Sequence, residues 1–470
     1  MVKVWAVALL CGLLAPSHAQ NATVQVSSSV SAAALGSAVV DLLQDGDVIQ
    51  RVLETVSGGL QNLGNVGAGL AGLDIKNLTL PKVSLQLLPG VGVQLNVESN
   101  LGTSGASFLS FDHTSGKPAA DWLRLLLGRI LSLQVEGNIS AKARLVQDDT
   151  GAPKFVVEDC KTQLVNVRIL LNALRLHPAM LNNAIKRVLP RLLCPVTDTV
   201  LNAVNSLLRT VNSEAPLGAV GNLQYVLSKV PVVSKAAIGL DLNAVVKDLL
   251  GNPVEDPACS AASVSLPPVV GAAGQLGLSV CLLGSVLNLL QVPGKLDAAV
   301  DGQLLAADSP LTTSALSALI PEVSGLLSGS QQPLLKVRVL DTPQVSVENG
   351  KVMVHLPASV EVFPSNSSQQ SLFVLNTDVV LSAQPTVSDN TLHLSLALER
   401  VNLTLASSLI GDFNAPLLEP LISDILRAVY VPHINAALEM GIPLPDLLNL
   451  KWENGLVGTT QNSLVVKAQA

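Results

Sequence analysis

The sequence is short of charge and shorter still of aromatic rings. Charged residues make up 13% of its 470 residues and aromatics 2%, where average domains carry about 25% charged. So few rings leave little means of stacking bases or sugars. With a net charge of −7, this argues against a nucleic-acid partner. Motifs of catalysis are missing too. No G-x-S-x-G elbow and no H-E-x-x-H occur, and no phosphate-cradling glycine loop is present. The six histidines are scattered. His113 falls in an expected loop and His393 on the polar side of an expected strand. The cysteines lack the C-x-x-C spacing of a zinc site. The expectation is a chain with no catalytic residue, no metal and no cofactor. A triad assembled only in space leaves no such trace.

Long membrane-spanning runs are absent as well. Ala258–Gly294 holds no charge, but Pro267, Pro268, Pro293 and recurrent polar residues interrupt it. The apolar run at the N-terminus, Val4–Ala15, is about half the length a spanning helix needs. With Lys3 before it and Ser17-His18-Ala19 after it, this run reads as a signal peptide over residues 1–19. Secretion is therefore expected. Five N-x-S/T sequons, at Asn21, Asn77, Asn138, Asn366 and Asn402, fit that route as N-glycosylation sites.

What the chain does have is aliphatic. Hydrophobic residues reach 49%, and they are Leu and Val rather than rings. Beyond the signal peptide four cysteines remain: Cys160, Cys194, Cys259 and Cys281. In an oxidising compartment they imply two disulfides, with three possible pairings. Nearest-neighbour pairing puts one bridge in each half and is favoured.

The patterning is more telling. In LSLQVEGNISAKARL (Leu131–Leu145) every odd position is apolar or small and every even position polar. A period of two held that long predicts one strand with a single buried face. Shorter alternations precede it at Val83–Leu87 and Val91–Val97, followed by an expected loop at SNLGTSGA (Ser99–Ala106). A further strand is expected from Phe155 to about Leu171. From Pro178 to Asn212 the period changes. Leu181, Ile185, Val188, Leu192, Val196 and Val200 recur at steps of three and four, which predicts a long amphipathic helix, kinked at Pro190 and Pro195. It matches the long strand in length, and Cys194 on it is placed to staple Cys160 on the strand. A helix is also expected at about Ala32–Thr55, running into a glycine-rich loop (Ser57–Leu73).

The plan then repeats. A Pro-rich stretch, Gly251–Gly271, reads as a linker between domains at 20–250 and 272–470. Helices are expected at Leu276–Leu290 and about Leu311–Leu327. Alternating strands follow around Leu335, Val352 and Leu392, with a phase break at Glu399-Arg400 that predicts a bulge. The last long helix is expected at Ala415–Met440. Charge is unequal: residues 20–250 carry 19 basic and 17 acidic side chains, residues 251–470 carry 8 and 18. Cys160–Arg209 is locally basic, with Lys186, Arg187 and Arg191 close together.

Several segments carry a resemblance: TSGKPAADW and VVEDCKTQLVNVRILL, the helix with RLLCPV, the Pro-rich stretch, and INAALEMGIPLPDLLNLKWENGLV near the end. In this order and spacing they resemble the BPI/LBP/PLUNC superfamily, more narrowly its long PLUNC type (BPI fold-containing family B), over nearly all of the mature chain. The resemblance implies an α+β fold. It is a two-domain boomerang of BPI type, each domain a twisted antiparallel β-barrel packed on long kinked helices, joined by a central sheet. Cys160 and Cys194 match the family's disulfide; the pairing of Cys259 with Cys281 rests on the count alone. The family also implies apolar pockets for lipid acyl chains. On that basis the chain is expected to be a secreted carrier of lipids or other small hydrophobes, odorants included, in mucosal fluid. The expected pocket walls are Leu133, Val135 and Ile139 on the strand and Leu181, Ile185, Val188 and Leu192 on the helix. The rival reading is an innate-immune module that binds lipopolysaccharide or another anionic microbial lipid through Lys186, Arg187 and Arg191. A third has the pockets filled by side chains and the surface serving protein partners or membranes.

Overall fold

A computed structural model describes residues 23–44, 46–61, 73–106, 130–171, 178–257, 259, 264–300, 312–325, 333–364, 370–448 and 450–469. The expected signal peptide (residues 1–19), Asn21, His113 and Asn366 lie outside the described residues. In chain order the first half runs β1 (Val24–Ser31), α1 (Ala32–Gln44), α2 (Gly46–Gln61), β2 (Leu73–Leu88), β3 (Gly92–Ala106), β4 (Ile130–Gln147), β5 (Pro153–Leu171) and α3 (Pro178–Arg209). After these come β6 (Ser213–Leu217), β7 (Gly221–Leu227), β8 (Val232–Val233) and β9 (Ala237–Asp248). The second half runs β10 (Gly274–Ser279), α4 (Val280–Gln291), β11 (Ala298–Val300), α5 (Thr313–Leu319), β12 (Leu334–Val339), β13 (Gln344–Glu348), β14 (Lys351–Phe363), β15 (Phe373–Ser388) and β16 (Thr391–Ser408). It ends with α6 (Glu419–Ile425), α7 (Val431–Ala437), β17 (Ile442–Pro443), β18 (Leu456–Thr459) and β19 (Ser463–Ala468).

The long alternating stretch is β4. Leu133, Val135, Ile139, Ala141, Ala143 and Leu145 are buried, whereas Asn138, Lys142 and Arg144 are exposed. One face of the antiparallel sheet β2-β3-β4-β5 is therefore apolar along its length. The 32-residue α3 covers it, with Ile185, Val188, Leu192, Val196 and Val200 turned inward. The helix runs through Pro190 and Pro195 without ending. Cys160 on β5 is bridged to Cys194 on α3, and Cys259 to Cys281 at the start of α4. Both bridges follow the nearest-neighbour pairing.

The second half repeats this construction. β14, β15 and β16 form the body of a seven-stranded sheet, and a helical rod packs on β16. The rod starts with a 3-10 turn at Ala415–Leu418, continues as α6, widens to a π turn at Leu426–Tyr430 and closes with α7. Pro432 lies just beyond the widened turn, where it has no N–H to offer a carbonyl one turn back. The Val431 N–H reaches Leu426 O instead. The phase break at Glu399-Arg400 is a bulge: Val380 pairs with Arg400 and Leu381 with Leu398, leaving Glu399 as the extra residue.

One contact shows the duplication at the level of atoms. Asn205 on α3 accepts from Phe155 N–H at 2.7 Å and donates to Phe155 O at 3.0 Å. Asn435 on α7 does the same to Leu396, at the same 2.7 and 3.0 Å. In each half a helical amide thus satisfies both backbone groups of a residue in the strand beneath it. Sequence periodicity gave no hint of either.

The halves meet in a third sheet, ordered β18-β19-β10-β1-β9-β7-β6, with β8 on β9. Its strands come from both sides of the Pro-rich stretch. β1 lies between β10 and β9, pairing Val26 with both Leu278 and Leu242. The buried Tyr225 of β7 donates its hydroxyl to Pro443 O, tying this sheet to the G-I-P-L-P segment. There Gly441 has φ +64°, and a Cβ would overlap Thr391; both facts require glycine.

Four local expectations are corrected. Ser99–Ala106 is strand, not loop: Leu101 pairs with Leu78 and Val135, and the glycine at 102 lets Asn77 approach where a Cβ would collide. Leu276–Ser279 is strand, not helix. It is hydrogen-bonded between β1 and β19, Gly277 makes room for Val264 and Leu266, and Ser279 caps the helix that follows. Ser57–Gln61 continues α2 rather than opening a loop. Finally, Pro321 divides the expected Leu311–Leu327 helix into α5 and a 3-10 turn.

Three outcomes follow from this packing. The Cys160–Cys194 bridge spans 34 residues, so replacing both by Ser lowers stability by about 4 kcal/mol in the chain-entropy account, read from urea unfolding. Asn205→Ala and Asn435→Ala each strip partners from two backbone groups and cost about 1–3 kcal/mol, measured the same way. Asp148 closes the β4–β5 turn and pairs with Arg209 at the end of α3 (3.1 Å). The Thr150 hydroxyl foremost, with the backbone N–H groups of Thr150 and Ala152, holds its carboxyl at about 2 instead of 3.8. A depressed carboxyl pKa stabilises the fold above the unfolded value. That contribution is lost as pH falls from 3.8 towards 2. Protection of the Gly151 and Ala152 amides, relative to intrinsic exchange at each pH, should fall over that window, and in Asp148→Asn it should already be low at neutral pH.

Candidate functional site

The residues expected to wall a pocket come together. Leu133, Val135 and Ile139 on β4, and Ile185, Val188 and Leu192 on α3, are all buried in one continuous apolar core. The side chain of Leu181 lies outside the described residues. Of the six, Ile139 alone borders a described cavity, a groove of about 390 Å³ on the outer side of β2–β5 whose other walls include Lys82, Glu98, Asn138 and Gln163.

A larger cavity lies elsewhere. It measures about 720 Å³, within the roughly 300–1,000 Å³ of small-molecule sites. Four segments far apart in sequence wall it: the end of β1 with the first turns of α1 (Ser31–Leu42), Ala236 before β9, the end of the Pro-rich stretch (Val269–Ala273), and Leu448, Leu450 and Lys451. Backbone hydrogen bonds fix the first three to one another and to β19. Ser31 N–H donates to Ala273 O, Ala32 N–H to Ala236 O, and Ala273 N–H to Ala468 O. The Ser31 hydroxyl accepts from Ala34 N–H, capping α1. Leu448 takes a positive φ of 58° in the last of these walls.

Small side chains make the space. Ala32, Ala33, Ala34, Ala38, Ala236, Ala272 and Ala273 line it, with Leu42, Val269, Leu448 and Leu450. Asp41 and Lys451 are its two charged lining residues, and both are exposed. Beside it the fully buried Trp452 is held at both nitrogens: its backbone N–H donates to Asn390 and its indole N–H to Pro445 O. Such walls offer mostly apolar contact, with Ser31, Ser37, Asp41 and Lys451 as the polar side chains among them. The run AAALGSA (Ala32–Ala38) was the available signal in the sequence, and it reads equally as helix.

The other candidate residues are dispersed. Lys186, Arg187 and Arg191 are exposed on the outer side of α3 and have no ion-pair partner among the described residues. Asn77, Asn138 and Asn402 are exposed on strands. Among the described residues no cluster of His, Cys, Asp and Glu is fit to hold a metal, and no helix is long and apolar enough to cross a membrane. Fold does bring one histidine to acids: His355 Nδ1 lies 3.1 Å from Asp378 and Nε2 3.6 Å from Glu348, on the outer side of the second sheet. Burial pushes the phenols of Tyr225 and Tyr430 well above their ordinary pKa, so both remain neutral; the Tyr225 hydroxyl donates to Pro443 O, whereas that of Tyr430 has no hydrogen-bond partner among the described residues.

Comparison with known proteins agrees with this architecture. Residues 31–209 match the model of the LBP / BPI / CETP family N-terminal domain, and residues 222–470 that of the C-terminal domain. BPI fold-containing family B member 3 of Mus musculus is 36% identical over 99% of both chains. Family B member 4 of Homo sapiens is 33% identical over 85% of this chain and 64% of that protein. The crystal structure of lipopolysaccharide binding protein superposes with a TM-score of 0.54 over 94% of this chain and 98% of that one, at 18% identity. The chain belongs to the LBP/BPI/CETP family, has the BPI fold, and counts the BPI fold-containing family B proteins among its relatives.

Proposed function

We propose that the protein is a secreted carrier of lipids or other small hydrophobes, acting by burial alone. The observation that supports it is the cavity of about 720 Å³ walled by alanine, valine and leucine. At about 25 cal/mol per Å² of apolar surface, sequestering roughly 300–400 Å² of acyl chain yields about 8–10 kcal/mol before the entropy of association is deducted. The exposed Asn77, Asn138 and Asn402 suit glycosylation along a secretory route. Odorants fit the same chemistry, being apolar and small enough for the space. The interior between β4 and α3 is a second place for an acyl chain, reached by displacing side chains at Val135, Ile139, Val188 or Leu192.

A second reading rests on Lys186, Arg187 and Arg191, three exposed cations within one and a half turns of α3. Anionic microbial lipid, lipopolysaccharide included, would be held there by charge and released by salt. Native mass spectrometry with lipid extraction separates the two. A carrier emerges with bound lipid and takes up a fluorescent fatty acid independently of salt. Ala38→Trp, which fills the cavity, weakens that uptake about tenfold. A protein that carries nothing and takes up no probe contradicts the carrier. Salt-sensitive binding of lipopolysaccharide, lost when Lys186, Arg187 and Arg191 become Ala, would support the second reading instead.

A further inference from the structure

The rim of the large cavity continues into a ribbon that the carrier reading does not use. Ala236 lines the cavity. The eight residues before it, Ser228–Lys235, form an edge of the central sheet. Val230 is 51% and Val232 68% exposed, whereas Val233 between them and the sheet is buried. Lys229 and Lys235 flank the two valines, are exposed, and have no ion-pair partner among the described residues. The ribbon is held in place. Val232 pairs with Gly239 and Val233 with Ile238. Ser228 bonds Asp241 O through both its N–H and its hydroxyl. Val233 O accepts from Gly90 N–H, and the Ser234 hydroxyl accepts from Ala236 and Ala237 N–H. Pro231 stiffens its centre further. Two valines are thus presented to solvent on a fixed backbone.

We propose that this ribbon docks the protein on an anionic phospholipid bilayer. Val230 and Val232 enter the headgroup boundary while Lys229 and Lys235 reach the lipid phosphates and carboxylates. Apolar side chains interleaved with long cations suit that interface, because the lysines keep their charge in water while their stems follow the valines down. The two unpaired cations complement an anionic surface despite the chain's net charge of −7, since only charges within a Debye length of the contact are felt strongly. Docking there sets the cavity mouth, through Ala236, at the lipid surface. The purpose of the contact rests on the carrier reading; the contact itself is tested apart from it. A competing account is that the lysines merely guard an exposed sheet edge against self-association.

The test is flotation of the full-length protein with phosphatidylcholine vesicles made with and without phosphatidylserine. Uptake of a fluorescent fatty acid dispersed in buffer is measured in parallel. Binding to the phosphatidylserine vesicles is expected, weakened roughly fivefold for each lysine removed in Lys229→Ala and Lys235→Ala and abolished in Val230→Asp/Val232→Asp. Uptake from buffer and the thermal midpoint should stay unchanged in all of them. Absence of vesicle binding, or binding indifferent to these substitutions, overturns the proposal. So does a change confined to oligomeric state, which would make the ribbon a guarded edge. Failure of uptake from buffer in the unsubstituted protein would instead overturn the carrier reading, and flotation would still decide the docking.

Discussion

A long sheet with one wholly apolar face is the constraint from which the rest of this molecule follows. β4 turns seven small or apolar positions, Leu133 to Leu145, to the same side. Left open, such a face would expose far more oil than a soluble chain tolerates. The covering element must be as long as the strand, which is why α3 extends for 32 residues and runs through two prolines instead of stopping at them. Its hold is then fixed at separate points: the Cys160–Cys194 bridge, the Asn205 amide on Phe155, and Arg209 on Asp148. In the second half a rod of mixed helical pitch solves the same problem, with the Asn435–Leu396 contact in the place of Asn205–Phe155.

The central sheet gives the two halves a common wall. β1 is the first strand described, yet its partners are β9 and β10, one on each side of the Pro-rich stretch. That stretch runs along α4: Asn288 donates to Glu255 O, and Cys259 is bonded to Cys281. The large cavity opens where its last residues meet the start of α1 and the loop before Trp452. Small residues there are a consequence of four segments converging, and the same smallness leaves the space that an apolar ligand can use.

Periodicity made most of the scaffold legible in the sequence. The alternation at Leu131–Leu145, the three-four spacing of Pro178–Asn212 and the phase break at Glu399 each report a local property, and each has its counterpart in β4, α3 and a bulge. The failures are positions whose state is decided by a distant partner. Ser99–Ala106 has the composition of a turn but pairs on both sides. Leu276–Ser279 has the spacing of a helix but completes a sheet whose neighbours lie some 190 residues after it and 250 before it. Asn205 and Asn435 look like ordinary polar positions on helices until the strands beneath them are known. The cavity was out of reach for the same reason. Its walls carry no distinctive residue type, and only folding brings Ala38, Ala272 and Leu450 together.

Photolabelling with a diazirine fatty acid, followed by peptide mapping, tests the central claim most directly, because it asks where an apolar chain comes to rest. Labels concentrated in Ser31–Leu42, Val269–Ala273 and Leu448–Lys451, and displaced by excess unlabelled fatty acid, are the predicted result. Labels that no competitor displaces, or labelling with no preference for these segments, would contradict it.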